Sequence, residues 1–167
     1  YSGACQMMVK AQSMRMMDLL ANATNTIAQG EVLQLLNIND ANTSEERYIE
    51  VIYGKTACLF EAATQIGAIL SNSDEQTEQA LKSYGKHLGM AFQLIDDALD
   101  YTANPNELGK NVGDDLAEGK PTLPLIYAMQ QGDDTQQALI RHAIENGGLN
   151  HIDAITQIIH STGALEY

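Results

Sequence analysis

The chain of 167 residues has 22 acidic residues against nine lysines and arginines, a formal net charge of −13, and 44% of its residues are hydrophobic. The length suits one domain, and the apolar content is sufficient for a hydrophobic core. The excess of acidic over basic residues argues against nucleic acid or an anionic membrane surface as the main partner.

The predicted elements are helices throughout, because apolar residues recur at intervals of three and four and only 5% of residues are aromatic. A first long helix is expected over about 7–36, followed by a polar break at 37–42. Two further helices are expected over about 43–71 and 73–101, each preceded by residues that cap helix N-termini. Residues 104–120 are rich in Gly, Asn, Asp and Lys and predict an ordered loop. Three shorter helices, over about 123–129, 133–147 and 150–162, complete an all-α bundle.

The two cysteines, Cys5 and Cys58, lie far apart and form no CxxC pair. Neither a disulfide framework nor a structural zinc site is therefore predicted, and a reducing, cytoplasmic compartment is expected. No apolar run reaches the length of a transmembrane helix, so we expect no membrane span.

Three aspartates near the end of the third predicted helix form the pattern DDxxD. Asp96 and Asp100 are four residues apart and share a helix face, whereas Asp97 is rotated from Asp96 by roughly 100°. Carboxylate oxygens suit Mg²⁺, which would relieve the repulsion between these charges and also bind a substrate phosphate. A solvated acidic helix face is the alternative, although the apolar neighbours Phe92 and Ile95 favour a buried helix.

Three lysines are candidates for binding an anion. Lys110 and Lys120 stand in a glycine-rich stretch after the aspartates, where a compact charge and a close backbone suit phosphate. A flexible linker is the alternative, but loops between buried helices more often have a function. Lys55 interrupts an apolar helix, and a buried lysine needs a partner, for which the DDxxD acids are suited. A surface ion pair is the alternative for Lys55.

The stretch from Phe92 to Leu125 resembles the second aspartate-rich region of the trans-isoprenyl diphosphate synthases. It combines Phe-Gln-Leu-Ile-Asp-Asp-x-x-Asp-Tyr with the later Gly-Lys-x-x-Gly-x-Asp-Leu-x-Glu-Gly-Lys-x-Thr-Leu-Pro-Leu. Gly30-Glu31-x-x-Gln34 and Lys55-Thr56 match two further positions of that family, and the similarity extends over essentially the whole chain. Within the family, the chain is most similar to the bacterial octaprenyl diphosphate synthases.

The resemblance implies an all-α isoprenoid-synthase fold that forms homodimers. It further implies extension of a farnesyl-type allylic diphosphate with isopentenyl diphosphate to a long-chain product, octaprenyl diphosphate, for quinone biosynthesis. Such a reaction needs no protein nucleophile, because Mg²⁺ and lysines stabilise the departing pyrophosphate. The implied metal ligands, bound directly or through water, are Asp96, Asp97 and Asp100. The implied substrate-binding residues are Lys55, Thr56, Gln93, Lys110 and Lys120, and the implied catalytic residues are Lys55, Asp96 and Lys110.

The family's first aspartate-rich motif should lie on an earlier helix. Of the three Asp-Asp pairs in the chain, only the pair at 96–97 fits DDxxD. We therefore expect residues 1–167 to form one incomplete synthase domain, without the N-terminal and last C-terminal helices. The isolated chain is expected to bind Mg²⁺ and diphosphate weakly and to catalyse no elongation. The alternatives are a non-catalytic regulatory subunit of a complete synthase and a terpene cyclase, in which the glycine–lysine loop is not expected.

Overall fold

The computed structural model describes residues 2–102 and 113–167, except the side chains of residues 2, 4, 5 and 8. These residues form helices and turns without a β-strand, as the sequence predicts. The elements are, in chain order, α1 (Ser2–Ala11), α2 (Met14–Asn37), α3 (Glu45–Ile52), a π-helical segment (Tyr53–Ala57), α4 (Cys58–Leu70), α5 (Glu75–Leu99), α6 (Asp114–Ala117), α7 (Leu123–Gln131), α8 (Asp134–Asn146), a 3-10 turn (Leu149–His151) and α9 (Ile152–Ser161). None of the described helices combines the length and the apolar character needed to cross a bilayer.

The prediction of a single helix over about 7–36 is wrong. α1 ends at Ala11 and α2 begins at Met14, and between them Gln12 adopts the left-handed conformation with φ of 51°. The Ser13 hydroxyl then accepts a hydrogen bond from the backbone N–H of Met16 at 3.3 Å and caps α2. Glutamine is not a residue that typically marks a turn, so the break has no clear signal in the sequence.

Three other predicted helix starts are confirmed by their capping side chains. Ser44 caps α3 and Asp74 caps α5 by accepting the backbone N–H of the third residue of each helix, at 3.3 and 2.8 Å. Asp133 accepts two backbone N–H groups of α8, and the Gln136 side chain accepts the N–H of Asp133 at 3.0 Å. This reciprocal arrangement is a complete capping box.

The chain divides into two compact units. The first comprises Tyr1–Glu31 and Ile52–Ala91, and the second comprises Val32–Val51 and Phe92–Tyr167. The boundaries between the units fall inside α2, α3 and α5. The expectation of one domain over residues 1–167 stays a prediction.

The hydrophobic core of the second unit is built mainly from α7, α8 and α9. Pairs of isoleucines four residues apart on α8 and on α9 point to the same side of their helix and are enclosed. The core side chains with 1% exposure or less include Leu116, Leu125, Ile140, Ile144, Ile155 and Ile159. Burying one such side chain contributes roughly 1.5–3 kcal/mol. Because Tyr101 and Leu116 belong to the same cluster, the core also fixes the end of α5 and α6.

In the first unit, two glycines bring α2 into backbone contact with the π-helical segment. A Cβ atom on Gly30 would lie 2.6 Å from the backbone nitrogen of Lys55 and 2.7 Å from the carbonyl carbon of Gly54. Only a residue without a side chain allows this approach. The backbone N–H of Cys58 donates to the carbonyl of Tyr53, five residues earlier, which is the π-helical pattern. The helix predicted over 43–71 is therefore one run with an irregular turn where α2 approaches it.

α5 exposes an apolar stripe. Phe92, Ile95 and Leu99 are 55%, 60% and 40% exposed, and their spacing of three and four places them on one side of the helix. The expectation that the apolar neighbours of the aspartates are buried is wrong for these side chains. The face of α5 that carries Asp97 is the enclosed one, because Asp97 is only 4% exposed.

Candidate active site

Asp97 is the most enclosed of the three aspartates, and each of its carboxylate oxygens accepts a hydrogen bond. The Tyr48 hydroxyl donates to Oδ2 at 2.6 Å, and the Gln93 amide Nε2 donates to Oδ1 at 2.7 Å. Gln93 lies one turn earlier on α5, whereas Tyr48 comes from α3, 49 residues away along the chain. These donors replace the water that a buried carboxylate loses.

Burial raises the pKa of Asp97 to about 6, because an enclosed carboxylate loses hydration. The hydrogen bonds from Tyr48 and Gln93 lower this pKa in part, and the charges of Asp115 and Asp96 raise it. Burial also raises the pKa of the Tyr48 hydroxyl, as does the neighbouring Asp97 charge. At neutral pH the pair is therefore a phenol that donates to a carboxylate.

Asp100 ties the end of α5 to the start of α6. Its carboxylate oxygens accept the backbone N–H groups of Asp114 at 3.2 Å and Asp115 at 3.1 Å, and its carbonyl accepts the N–H of Gly113 at 3.0 Å. The first N–H groups of a helix have no partner within the helix, so a carboxylate binds there readily. Gly113 has φ of 84°, a conformation that glycine adopts without strain. Burial and the Asp115 charge raise the pKa of Asp100, while the two N–H donors lower it.

Lys120 is held beside these acids by two ion pairs. Its Nζ lies 3.2 Å from Asp115 Oδ1 and 2.7 Å from Glu118 Oε2, and its side chain is 20% exposed. Burial lowers the pKa of Lys120, but the bonds to Glu118 and Asp115 outweigh this effect and leave the pKa raised. A chain of contacts thus runs within the second unit from Asp100 through Asp115 to Lys120.

Lys55 and Thr56 belong to the first unit, where both lie in the π-helical segment. The Lys55 Nζ is 3.9 Å from Glu31 Oε1, and the Lys55 side chain is 33% exposed. The sequence predicts a buried lysine at this position, with a partner among the DDxxD acids. Within the first unit Lys55 is a half-exposed lysine that forms an ion pair with Glu31, and its pairing with the DDxxD acids stays a prediction.

The remaining predicted residues are Asp96 and Lys110. Asp96 is half-buried on α5, and Lys110 lies outside the described residues. Two residues of the site were missed by the sequence prediction. Asp115 belongs to the glycine–lysine motif but received no role, and Tyr48 has no local signal because its partner is 49 residues away.

The donor set of the second unit suits a hard cation, although it does not form a closed cage. Among residues 2–102 and 113–167, no three His, Cys, Asp or Glu side chains are grouped so that they could hold a metal ion. Mg²⁺ keeps several waters and commonly binds through one or two carboxylates together with substrate phosphates. Carboxylates on α5, with a lysine nearby for the phosphate, fit that mode of binding.

The sequence matches the family described as Polyprenyl synthetase over residues 1–161. The match covers nearly the whole chain, and the chain therefore belongs to the polyprenyl synthetase family.

Individual relatives agree with this assignment. The octaprenyl diphosphate synthase of Haemophilus influenzae is 53% identical over 100% of this chain and 51% of its own length, and that of Escherichia coli is 50% identical over 100% and 52%. The crystal structure of a polyprenyl synthase from Caulobacter crescentus, complexed with calcium and isoprenyl diphosphate, superposes with a TM-score of 0.91 at 42% identity. That superposition covers 98% of this chain and 50% of the other, and it confirms the all-α isoprenoid-synthase fold. The chain spans about half the length of the curated relatives it matches.

Proposed function

We propose that this chain carries the Mg²⁺-binding and diphosphate-binding side of a trans-prenyltransferase. The observation that carries the proposal is the contact between the two parts of the motif, in which Asp100 holds the N-terminus of α6 and Asp115 holds Lys120. Carboxylates for a hard cation and an ammonium group for phosphate are thereby close to each other in the second unit.

The proposed reaction extends an allylic diphosphate with isopentenyl diphosphate. The allylic C–O bond breaks, and its electron pair leaves with the pyrophosphate. The double bond of isopentenyl diphosphate attacks the allylic cation, and loss of a proton forms the new trans double bond. Bound Mg²⁺ supplies Lewis-acid stabilisation of the pyrophosphate.

Residues of this chain are proposed to bind and orient the substrate. Lys120 binds the departing diphosphate, together with Lys55 and Lys110. Asp115 and Glu118 hold the Lys120 ammonium group in place before the substrate arrives. Asp96 is the proposed direct ligand of Mg²⁺, and Asp100 contacts the metal through water. From the family resemblance, Gln93 and Thr56 are also proposed to contact the substrate near the reacting carbons.

The proposed product is octaprenyl diphosphate for ubiquinone biosynthesis. Its support is the identity of 53% and 50% to the two relatives of that name. A homodimeric assembly and a cytoplasmic location are proposed from the family resemblance, and so is the lack of elongation activity in the isolated 167 residues.

The first test is binding of farnesyl diphosphate, measured by calorimetry with and without Mg²⁺. We expect binding that requires Mg²⁺ and that weakens about tenfold or more in Asp96→Asn and in Lys120→Met, since each change removes a charged contact. The matched control is Lys82→Met, because Lys82 also forms an ion pair, with Glu61 at 3.5 Å, but has no proposed role in the site. Absence of binding even at high Mg²⁺ would contradict the proposal that this chain carries the diphosphate-binding side.

A further inference from the structure

Tyr48, Asp97 and Gln93 form a hydrogen-bonded triad in the second unit. Tyr48 and Asp97 are each only 4% exposed. The hydroxyl of Tyr48 and the amide of Gln93 donate to opposite oxygens of the Asp97 carboxylate, at 2.6 and 2.7 Å. Both oxygens of Asp97 are thus directed at protein donors in an enclosed position.

The triad determines which way the Gln93 amide is turned. An ionised carboxylate only accepts hydrogen bonds, so Gln93 must present its NH₂ group to Asp97. A flipped amide would set its carbonyl oxygen against a carboxylate oxygen, which is repulsive. Asp97 therefore fixes the amide, and Tyr48 in turn fixes Asp97 from another helix.

We propose that Asp97 is a positioning residue that, together with Tyr48, orients Gln93, and that it is not a metal ligand of the DDxxD pattern. The inference rests on the proposed function for two points, namely that Asp96 binds Mg²⁺ and that Gln93 contacts the substrate. A magnesium ligand must turn an oxygen to the hydrated ion, whereas both Asp97 oxygens face protein donors and Asp97 is only 4% exposed. The oxygens of Asp100 also accept N–H groups, but Asp100 is only half-buried and can still reach water. Asp96, the half-buried neighbour on α5, is left to contact the metal.

The orientation of Gln93 is tested without metal by NMR on the ¹⁵N-labelled chain in EDTA. The side-chain NH₂ resonance of Gln93 is identified by its loss in Gln93→Leu. We expect Tyr48→Phe to shift this resonance and to speed its hydrogen exchange, because the carboxylate that holds the amide is no longer fixed. The matched control, Tyr84→Phe, removes the hydroxyl of a tyrosine that is 59% exposed and should leave the resonance unchanged. An unchanged Gln93 resonance in Tyr48→Phe would overturn the proposal.

The second arm separates positioning from metal binding with inorganic pyrophosphate and Mg²⁺ in a calorimeter. In Asp97→Asn the new amide still accepts from Gln93 and can donate to Tyr48, so the affinity should stay within about threefold of the wild type. In Asp96→Asn it should fall by about tenfold or more. An equal loss in both variants would assign Asp97 to the metal and sink the proposal. If the wild type binds no pyrophosphate, the proposed function fails, while the Gln93 resonance still decides the positioning role.

Discussion

The carboxyl group of Asp97 accepts two strong hydrogen bonds and is nevertheless harder to ionise than an ordinary aspartate. Burial raises its pKa to about 6 from the ordinary 3.8, and the nearby charges of Asp115 and Asp96 act in the same direction. The donors Tyr48 and Gln93 recover part of this cost. The cost of keeping a carboxylate enclosed at this position is thus set mainly by lost hydration.

A pH dependence of stability follows from the raised pKa of Asp97. The folded state holds the proton more tightly than the unfolded state, so the contribution of Asp97 to stability falls as the pH rises from about 4 to about 6. In Asp97→Asn the side chain at this position cannot titrate, so this contribution to the pH dependence is absent. Lowering the pH from about 7 to about 4 should therefore favour the wild type over Asp97→Asn by about 2 kcal/mol in the free energy of unfolding.

Urea denaturation of both proteins in metal-free buffer measures this difference. Titration of carboxylates remote from Asp97 changes both proteins alike and cancels in the comparison. A difference between wild type and Asp97→Asn that is constant over this pH range would show that Asp97 titrates normally.

At the level of elements, the fit between α2 and the π-helical segment depends on the absence of a side chain at residue 30. A Cβ at Gly30 would meet backbone atoms of Gly54 and Lys55, which cannot move away as the end of a side chain can. The contact therefore limits how far α2 can shift against this part of the first unit.

Gly30→Ala should lower the free energy of unfolding by about 1–3 kcal/mol, as expected when an extra methyl group is forced into a packed contact. Gly67→Ala is the matched control, because Gly67 lies in α4 and a methyl group there would meet no atom within 4 Å. That change should raise stability by about 0.5–1 kcal/mol, since alanine favours a helix more than glycine does. Equal effects of the two changes in thermal or urea denaturation would contradict the backbone contact.

The sequence predicts those elements whose signals are local. The starts of α3, α5 and α8 follow from Ser44, Asp74 and Asp133, because a capping side chain acts within a few residues of itself. The π-helical segment could not be predicted, since its cause, the approach of Gly30, lies elsewhere in the chain. For the same reason DDxxD identifies the acids on α5 but not Tyr48, which fixes one of them.

For the whole molecule, the formal charge of −13 is large for 167 residues. Repulsion among like charges disfavours the compact state and is screened by salt. A divalent cation that binds a specific site stabilises the folded state in addition, because it binds that state preferentially. The effect of general charge screening can thus be separated from that of specific Mg²⁺ binding by comparing NaCl with MgCl₂ at the same ionic strength.

We expect the thermal midpoint to rise from low to moderate NaCl, and to rise further in MgCl₂ of the same ionic strength. Asp96→Asn should keep the increase caused by NaCl but lose the additional increase caused by MgCl₂. Differential scanning calorimetry measures both effects. Identical midpoints in the two salts for the wild type would argue against a Mg²⁺ site in the apo protein.

The π-helical segment constrains the number of residues that the gene must encode between α3 and α4. A π turn contains one residue more than an α turn, so loss of one codon would allow a regular helix to continue through it. The parts of the run before and after the deletion would keep nearly their present rotation about the helix axis, because a regular turn would then span what the longer π turn spans now. The deletion would instead remove the wide turn that carries Gly54 and Lys55 against Gly30 of α2. Loss of one residue within Tyr53–Ala57 is therefore expected to keep α3 and α4 in one helical run and to disturb their contact with α2.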